Sequence, residues 1–277
     1  MSAQSMWAIS QPGCGDVATQ HSSSWRFAVC SNLRFAWPEM LATMPESFGQ
    51  APEAIFGASG RLSQQVLMGL PVDAFFSAAV METAWLHRLH QAKGLEEAST
   101  PGAKREPVRY AVGALAVYRT SPGSSVLEPT DERIAIANPA VAPYGRAAAA
   151  ALTQLGVDVL NSERVIHADS VAGVVRLVRQ RLADAGWIAT SMIQAGDRSA
   201  TEALPPPLAS VPVSTETASP RGVPSPLVVR VPDDLHPPIV QHAIYTGRND
   251  RRRARMLNDW IASDGFRAVL RRFGFLA

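Results

Sequence analysis

Two kinds of segment alternate along the first two thirds of this chain, and that alternation limits the fold more than any single motif does. Short apolar runs such as WRFAVC, AIFGASG and VDAFFSA have the length and composition of buried strands. Between them lie RLSQQVLMG and METAWLHRLHQAKG, which read as helices that end at glycine. Because strands that alternate with helices of this length form βα units, we predict an α/β fold with a mainly parallel sheet.

Composition excludes several classes of protein. A chain of 277 residues that is 47% hydrophobic and 18% charged is typical of one large globular domain or two modest ones. Its net charge of +2 gives no reason to expect a nucleic-acid partner. Cys14 and Cys30 are too few for a disulfide scaffold. No apolar run approaches the roughly 18–20 residues of a membrane span.

Two segments differ in composition from the rest. Residues 1–24 contain no Lys or Arg, and their longest apolar stretch is Met6–Ile9. A signal peptide has a basic start and an apolar core of about 7–15 residues, so we recognise none and expect an unstructured or atypical leader. An upstream start that adds a basic, apolar leader would explain this. Residues 196–226 are rich in Pro, Ser, Thr and Ala, which predicts a flexible or extended insertion.

Four turns share one arrangement, in which a strand ends, a small polar or glycine-containing turn follows, and a helix begins. They lie at Cys30–Asn32, at Ser59, at Tyr144 and at Ser170-Val171. In parallel α/β sheets, ligands bind outside the carboxyl ends of the strands. Free backbone N–H groups and the positive end of the helix dipole favour an anion there. Every βα unit has such a turn, but several turns with hydroxyl groups in one chain indicate a site for a small oxyanion.

Other residues that could carry chemistry are better explained as structural. Ser59 lies in GASGR, where Arg61 replaces the last glycine of a nucleophile elbow, so a serine hydrolase is not indicated. His87 and His90 could reach one metal ion, but no nearby Cys or carboxylate completes a ligand set. The basic run at 248–255 lacks the interleaved aromatic residues of a nucleic-acid site and is predicted to be the solvated face of an amphipathic helix.

From about Trp25 to its C-terminus, the chain resembles the periplasmic molybdate-binding proteins of ABC transporters. Four stretches carry the resemblance, in the order and spacing of that family: ASGRLSQQVLMGLPVDAFFSA, NPAVAPYGRAAAAAL, VPDDLHPPIVQHAI and LRRFGF. The resemblance implies the two-lobed α/β fold of type II periplasmic binding proteins, with mixed, mainly parallel sheets flanked by helices and the ligand in the cleft between the lobes. Lobe 1 would comprise residues 25–115 plus 245–277, and lobe 2 would comprise residues 116–244.

The resemblance also implies which residues bind the ligand. They are Ser31, Asn32, Ser59, Tyr144 and Val171, with Gly60 and Ala189 as possible additions. In this family, members with Tyr at the position of Tyr144 have Ala at the position of Ala189. The pair Tyr144 and Ala189 therefore indicates one coherent subgroup of the family. Such a protein is a binder and not an enzyme. It has no catalytic residue and no cofactor, and molybdenum would enter only as the bound oxyanion.

The function implied is tight binding of molybdate or tungstate and delivery of the anion to the membrane permease of an ABC transporter. The resemblance implies a periplasmic monomer with no nucleic-acid partner. Molybdate near neutral pH only accepts hydrogen bonds, so a site of hydroxyls, an amide and backbone N–H groups suits it. Monoprotonated phosphate would, in addition, need a hydrogen-bond acceptor for its proton. Two alternatives stay open: an intracellular oxyanion sensor or regulatory module on the same fold, and a degenerate binding protein with altered anion specificity.

Two residues depart from what such a site needs. Pro38 lies shortly after Ser31, and a proline in a helix interior would kink it. If the helix instead starts near Trp37, with Pro38 in its first turn, then Ser31 and Asn32 lie in a loop. Asp169 is expected to cap the helix that follows it, because a carboxylate turned into the cleft would repel a dianion.

Overall fold

The computed structural model describes residues 24–92, 106–119, 132–193, 227–247 and 250–277. The predicted leader up to residue 23 and the predicted insertion at 196–226 lie outside those residues. Ten strands are found in the described ranges: β1 Arg26–Cys30, β2 Glu53–Gly57, β3 Ala74–Ser77, β4 Val108–Gly113, β5 Leu115–Arg119, β6 Ile134–Ala137, β7 Val165–Ala168, β8 Ala185–Ala189, β9 Leu227–Arg230 and β10 Ile239–Tyr245. The α-helices there are α1 Trp37–Leu41, α2 Ser59–Leu67, α3 Val80–Ala92, α4 Pro143–Gln154, α5 Val171–Arg179, α6 Arg251–Ala262 and α7 Asp264–Arg272.

The strands form two separate five-stranded sheets, each mixed and mainly parallel. The order in the first sheet is β2-β1-β3-β10-β4, and the order in the second is β7-β6-β8-β5-β9. In the first sheet β1 is parallel to β2 and β3, and only β10 runs against its neighbours. In the second sheet β6 is parallel to β7 and β8, and only β5 is reversed. The fold class predicted from the alternating segments is confirmed.

The chain crosses between the two sheets twice. Strand β4 passes into β5 through the single residue Ala114. The second crossing occupies residues 231–238, before β10, which lies between β3 and β4 in the first sheet. Strand β10 is therefore part of the first sheet. Prolines lie in this crossing because a proline cannot donate to a sheet ladder.

The core of lobe 1 is a network of aromatic rings that the two C-terminal helices help to build. Trp260 of α6 lies within ring-contact distance of Phe27, Trp37 and Phe76, and its ring meets Phe266 of α7 at a centroid distance of 5.0 Å. The core of lobe 2 is aliphatic and is built mainly from Ala, Val and Ile. Tyr144 is one of its few large aromatic residues.

Local signals set the bounds of several helices. Asp250 and Ser263 accept hydrogen bonds from the backbone N–H groups three residues ahead and so cap α6 and α7. Arg251, Arg252 and Arg255 lie on the exposed face of α6, as predicted for the basic run. Pro38 lies in the first turn of α1, so that helix starts after the loop at Ser31.

Candidate functional site

The predicted site residues of lobe 1 lie where β1 and β2 end. Ser31 and Asn32 form a short 3-10 turn after β1, and Ser59 is the first residue of α2 after β2. All three are buried. Parallel neighbouring strands end at the same sheet edge, so the two turns lie side by side facing lobe 2.

The hydroxyl groups of these turns keep hydrogen-bond donors available. The Ser59 hydroxyl accepts a hydrogen bond from the Ala78 N–H at 3.0 Å, so its own proton is still free to be donated. The Ser31 hydroxyl has no hydrogen-bond partner among the described residues. Asn32 uses its amide to donate to Gln241 Oε1 at 3.2 Å, which fixes the orientation of the side chain.

Tyr144 is the predicted site residue that follows β6 in lobe 2. It lies in the first turn of α4 and is 2% exposed. Burial raises the pKa of its hydroxyl well above the ordinary value for tyrosine, so the group is a neutral donor. The amides of Asn32 and Gln241 lie close enough to favour the phenolate slightly, but among the described residues the hydroxyl makes no hydrogen bond of good geometry.

Two glycines allow this tyrosine to sit where it does. A Cβ added to Gly113, at the end of β4, would lie 1.9 Å from the Tyr144 hydroxyl oxygen. A Cβ added to Gly145 would lie 2.0 Å from the carbonyl oxygen of Ala137, so only glycine lets α4 start so close to β6. The requirement at Gly145 comes from the strand that ends just before α4. The requirement at Gly113 follows from no local pattern, because its cause lies in the other lobe.

Val171 and Ala189 complete the lobe 2 side at the ends of β7 and β8. Val171 is the first residue of α5, so its backbone N–H is one of those that a helix leaves without an internal partner. Ala189 is fully buried and brings no polar side chain. Ser170, and not Asp169, caps this helix: its hydroxyl accepts from the Gly173 N–H at 3.2 Å and lies 3.2 Å from the Asp169 carboxylate, to which it donates. The predicted cap at Asp169 was wrong, because Ser170 occupies the N-cap position and Asp169 lies one residue before it.

We call the turns at Ser31-Asn32, Ser59, Tyr144 and Val171 the inner turns, and they share an electrostatic character. None of these residues is charged. The 3-10 turn, α2 and α4 have neither a side-chain cap nor an acidic residue in the first turn. In contrast, side chains cap α6 and α7, and the helix of the fourth inner turn, α5, is capped by Ser170. Uncapped helix starts next to hydroxyl donors form a neutral site that can give hydrogen bonds to an anion.

The two lobes touch across these turns, so the structure is of a closed form. The Gly60 N–H donates to the Val141 carbonyl oxygen at 2.9 Å. The Ser191 hydroxyl donates to the Asn32 carbonyl oxygen at 2.7 Å. A Cβ on Gly60 would come within 2.8 Å of the same Val141 oxygen. In this closed form, Gly60 therefore joins the lobes through its N–H.

A cavity of about 740 Å³ lies beside the inner turns and is open to solvent. We call it the mouth. Its walls come from β2 and α2 of lobe 1 and from α5 of lobe 2. No inner-turn residue lines it, but Ala58 and Ser170, which do, each precede one. Four basic side chains and one acidic side chain line the mouth: Arg34, Arg61, Arg176, Arg179 and Asp169. The sequence reasoning did not single out these arginines as a group.

Neither a metal site nor a membrane-spanning helix is found among the described residues. No group of three or more His, Cys, Asp or Glu there could hold a metal ion. No helix in that part of the chain is both long and apolar enough to cross a membrane. Burial raises the pKa of the Cys30 thiol to about 12, so the group is a neutral thiol near the tyrosine hydroxyl of Tyr110.

The chain belongs to the bacterial extracellular solute-binding protein family, because a model of that family matches residues 25–276. The family membership that the sequence motifs predicted is thus confirmed. The molybdate-binding protein ModA of Rhodobacter capsulatus is 26% identical over 257 residues, which cover 90% of this chain and 86% of that protein.

Solved structures agree with this assignment. The periplasmic molybdate-binding protein of Azotobacter vinelandii superposes with a TM-score of 0.70 at 25% identity, covering 92% of this chain and 99% of that one. The sulfate-binding protein SubI of Mycobacterium tuberculosis superposes with a TM-score of 0.62 at 14% identity, covering 91% and 86%, and shows the fold alone.

Proposed function

We propose that this chain binds molybdate or tungstate between its lobes and delivers the anion to the permease of an ABC transporter. The observation that carries the proposal is the set of neutral hydrogen-bond donors on the inner turns, three of which lie at helix starts without a side-chain cap. Relatives named for molybdate binding align with most of the chain and support the choice of anion.

Each inner turn has a role in this proposal. The Ser31 and Ser59 hydroxyls donate to the anion from lobe 1, together with backbone N–H groups of the same turns. Tyr144 and the Val171 N–H donate from lobe 2, and Asn32 contributes its N–H and positions Gln241. Gly60 and Ala189 set the shape of the site. A fully ionised dianion accepts from all these groups, whereas none of them is a carboxylate that would accept the proton of monoprotonated phosphate strongly.

Closure of the lobes follows from the same geometry. The anion contacts donors of both lobes only when the lobes are closed, so it stabilises the closed form selectively. The hydrogen bonds from Gly60 to Val141 and from Ser191 to Asn32 form in that state and add to its stability. A periplasmic location, a monomeric state and a permease partner belong to the same proposal. An intracellular sensor on this fold gains no support from the family match.

Calorimetric titration with molybdate, tungstate, sulfate and monoprotonated phosphate tests the proposal. We expect molybdate and tungstate to bind at micromolar concentration or below, and phosphate to bind far more weakly. Each hydrogen bond to a charged group contributes about 1.5–3 kcal/mol, so the double variant Ser31→Ala, Ser59→Ala should lose roughly 100-fold or more in affinity.

Ser47→Ala is the matched control, because Ser47 is an exposed serine with no hydrogen-bond role among the described residues. It should bind as the wild type does. If the wild type binds no molybdate at micromolar concentration, the proposed function is wrong. If the double variant binds as tightly as the wild type, the inner turns are not the site, and a degenerate protein with another specificity becomes the better hypothesis.

A further inference from the structure

The mouth has a charge that the inner turns lack. Arg34 and Arg61 come from lobe 1, and Arg176 and Arg179 come from α5 of lobe 2. Asp169 is the one acidic residue in the lining. The whole chain carries a net charge of only +2, so a surplus of three positive charges around one cavity is a local concentration.

Most of this charge is not neutralised by ion pairs. Arg34, Arg61 and Arg176 are exposed and form no ion pair with a carboxylate among the described residues. The Arg34 guanidinium lies 5.0 Å from the centre of the Phe56 ring, which orients it without cancelling its charge. The Arg179 side chain donates to the Tyr118 hydroxyl at 3.2 Å, which holds it along the wall of the mouth.

The arginines stand on the same elements as the donors of the inner turns. Arg34 follows Asn32 by two residues, and Arg61 follows Ser59 by two residues. Arg176 and Arg179 lie on α5, the helix that starts with Val171. An anion held among the guanidinium groups is thus next to the inner turns, whose donors hold it in the closed complex. The volume of about 740 Å³ far exceeds what a tetrahedral oxyanion fills, so an anion there keeps part of its water.

The apolar part of the wall of the mouth strengthens the electrostatic field of the arginines. Phe35, Phe56, Ile55 and Leu62 line it between the charged groups. Clefts with charges of one sign and apolar walls concentrate field lines, which raises the local concentration of counter-ions and the rate of association. Arginine holds its charge at any pH at which the protein is folded, so this effect is permanent.

We infer that the mouth is a capture site for oxyanion dianions, in which Arg34, Arg61, Arg176 and Arg179 gather the anion from solution and raise its rate of binding to the inner turns. This inference rests on the proposed function. The arginines act on the association rate constant and not on the dissociation rate constant, because the closed complex is held by the inner donors.

Stopped-flow fluorescence with molybdate on the full chain tests this inference. Trp187 lies two residues before Ala189 and offers an intrinsic signal. The variant is Arg61→Gln, Arg176→Gln. At about 0.01 M salt, where charges interact over about 30 Å, we expect its association rate constant to fall roughly 10-fold. At about 1 M salt, where the range is about 3 Å, the variant should match the wild type. The dissociation rate constant should not change.

Two controls separate local charge from other effects. Arg255→Gln, Arg267→Gln removes the same charge from exposed helix faces outside the mouth and should keep the wild-type rates. Arg61→Lys, Arg176→Lys retains the charge and should restore most of the association rate. If the Lys variant is as slow as the Gln variant, attraction by charge is not the cause and the inference is wrong.

The remaining outcomes are also decisive. If the wild type binds molybdate and the Gln variant associates equally fast at low salt, the inference alone is overturned. A change confined to the dissociation rate constant overturns it as well, since that result places the arginines in the final site. If the wild type shows no binding, the proposed function fails and this inference falls with it.

Discussion

The inner turns and the mouth are neighbours, yet they are built on opposite principles. The inner turns are buried, uncharged and rich in hydrogen-bond donors. The mouth is exposed to solvent and lined by four arginines. Burying an arginine at the inner turns would carry a large desolvation penalty and would attract any anion of suitable charge. Neutral, oriented donors distinguish anions by geometry and by protonation instead. Exposed charges raise the association rate and do not select between anions of the same charge.

The largest expected effect comes from adding a negative charge to each region in turn. Ser59→Asp places a carboxylate among buried donors, where it both removes a hydrogen bond and repels a dianion. We expect the affinity for molybdate to fall at least ~1000-fold, since two opposed charges in a buried site interact by several kcal/mol. Calorimetry measures this loss.

Gln65→Glu adds the same charge in the mouth, where Gln65 is exposed. Solvent screens that charge, so only the association rate should fall, by a few-fold at low salt. If Gln65→Glu weakens binding as much as Ser59→Asp does, the two regions do not differ as described.

The next effect concerns the contact between Tyr144 and Gly113, the last residue of β4. Gly113→Ala forces a methyl group against the Tyr144 hydroxyl, and we expect a loss of about 1–3 kcal/mol in the free energy of unfolding. Urea denaturation measures it. Adding Tyr144→Phe should recover part of the loss, because it removes the nearest atom. Equal stability of the single and double variants would show that the clash is relieved elsewhere.

A smaller effect arises from the protons of the buried groups. The Cys30 thiol has a pKa of about 12 in the folded chain, against about 8.5 when unfolded. Between these values the unfolded chain releases a proton that the folded chain keeps, so stability is complete below pH ~8.5 and is lost as the pH rises. Denaturation at pH 8 and pH 10 should show a loss of the order of 1–2 kcal/mol from this group. Cys30→Ala should have a shallower pH dependence by that amount, and an unchanged slope would contradict the prediction.

The smallest effect returns to the mouth. Asp169 is its one acidic lining residue and is not the cap of α5. Asp169→Asn should therefore raise the association rate constant for molybdate about 2-fold at low salt without changing the dissociation rate constant. Stopped-flow fluorescence measures both constants. A slower association in this variant would mean that the carboxylate orients the arginines instead of opposing the anion.

Local features of the sequence determined much of the fold. The starts of α6 and α7 are set by the caps Asp250 and Ser263, because a cap acts within a few residues. The place of Pro38 in the first turn of α1 and the need for Gly145 are also local. The alternation of strands and helices was enough to predict an α/β fold with a mainly parallel sheet, and family motifs pointed to two lobes and to the turns of the candidate site.

Only the tertiary structure decided the features that join distant parts of the chain. The place of β10 in the first sheet depends on its pairing with β3 and β4, which no local pattern specifies. The requirement for glycine at Gly113 comes from a tyrosine of the other lobe. Arg34, Arg61 and Arg176 are scattered along the sequence and form one charged mouth only because α2 and α5 face each other across the closed lobes. Charge interacts through space, so its sum around a cavity exists only after folding.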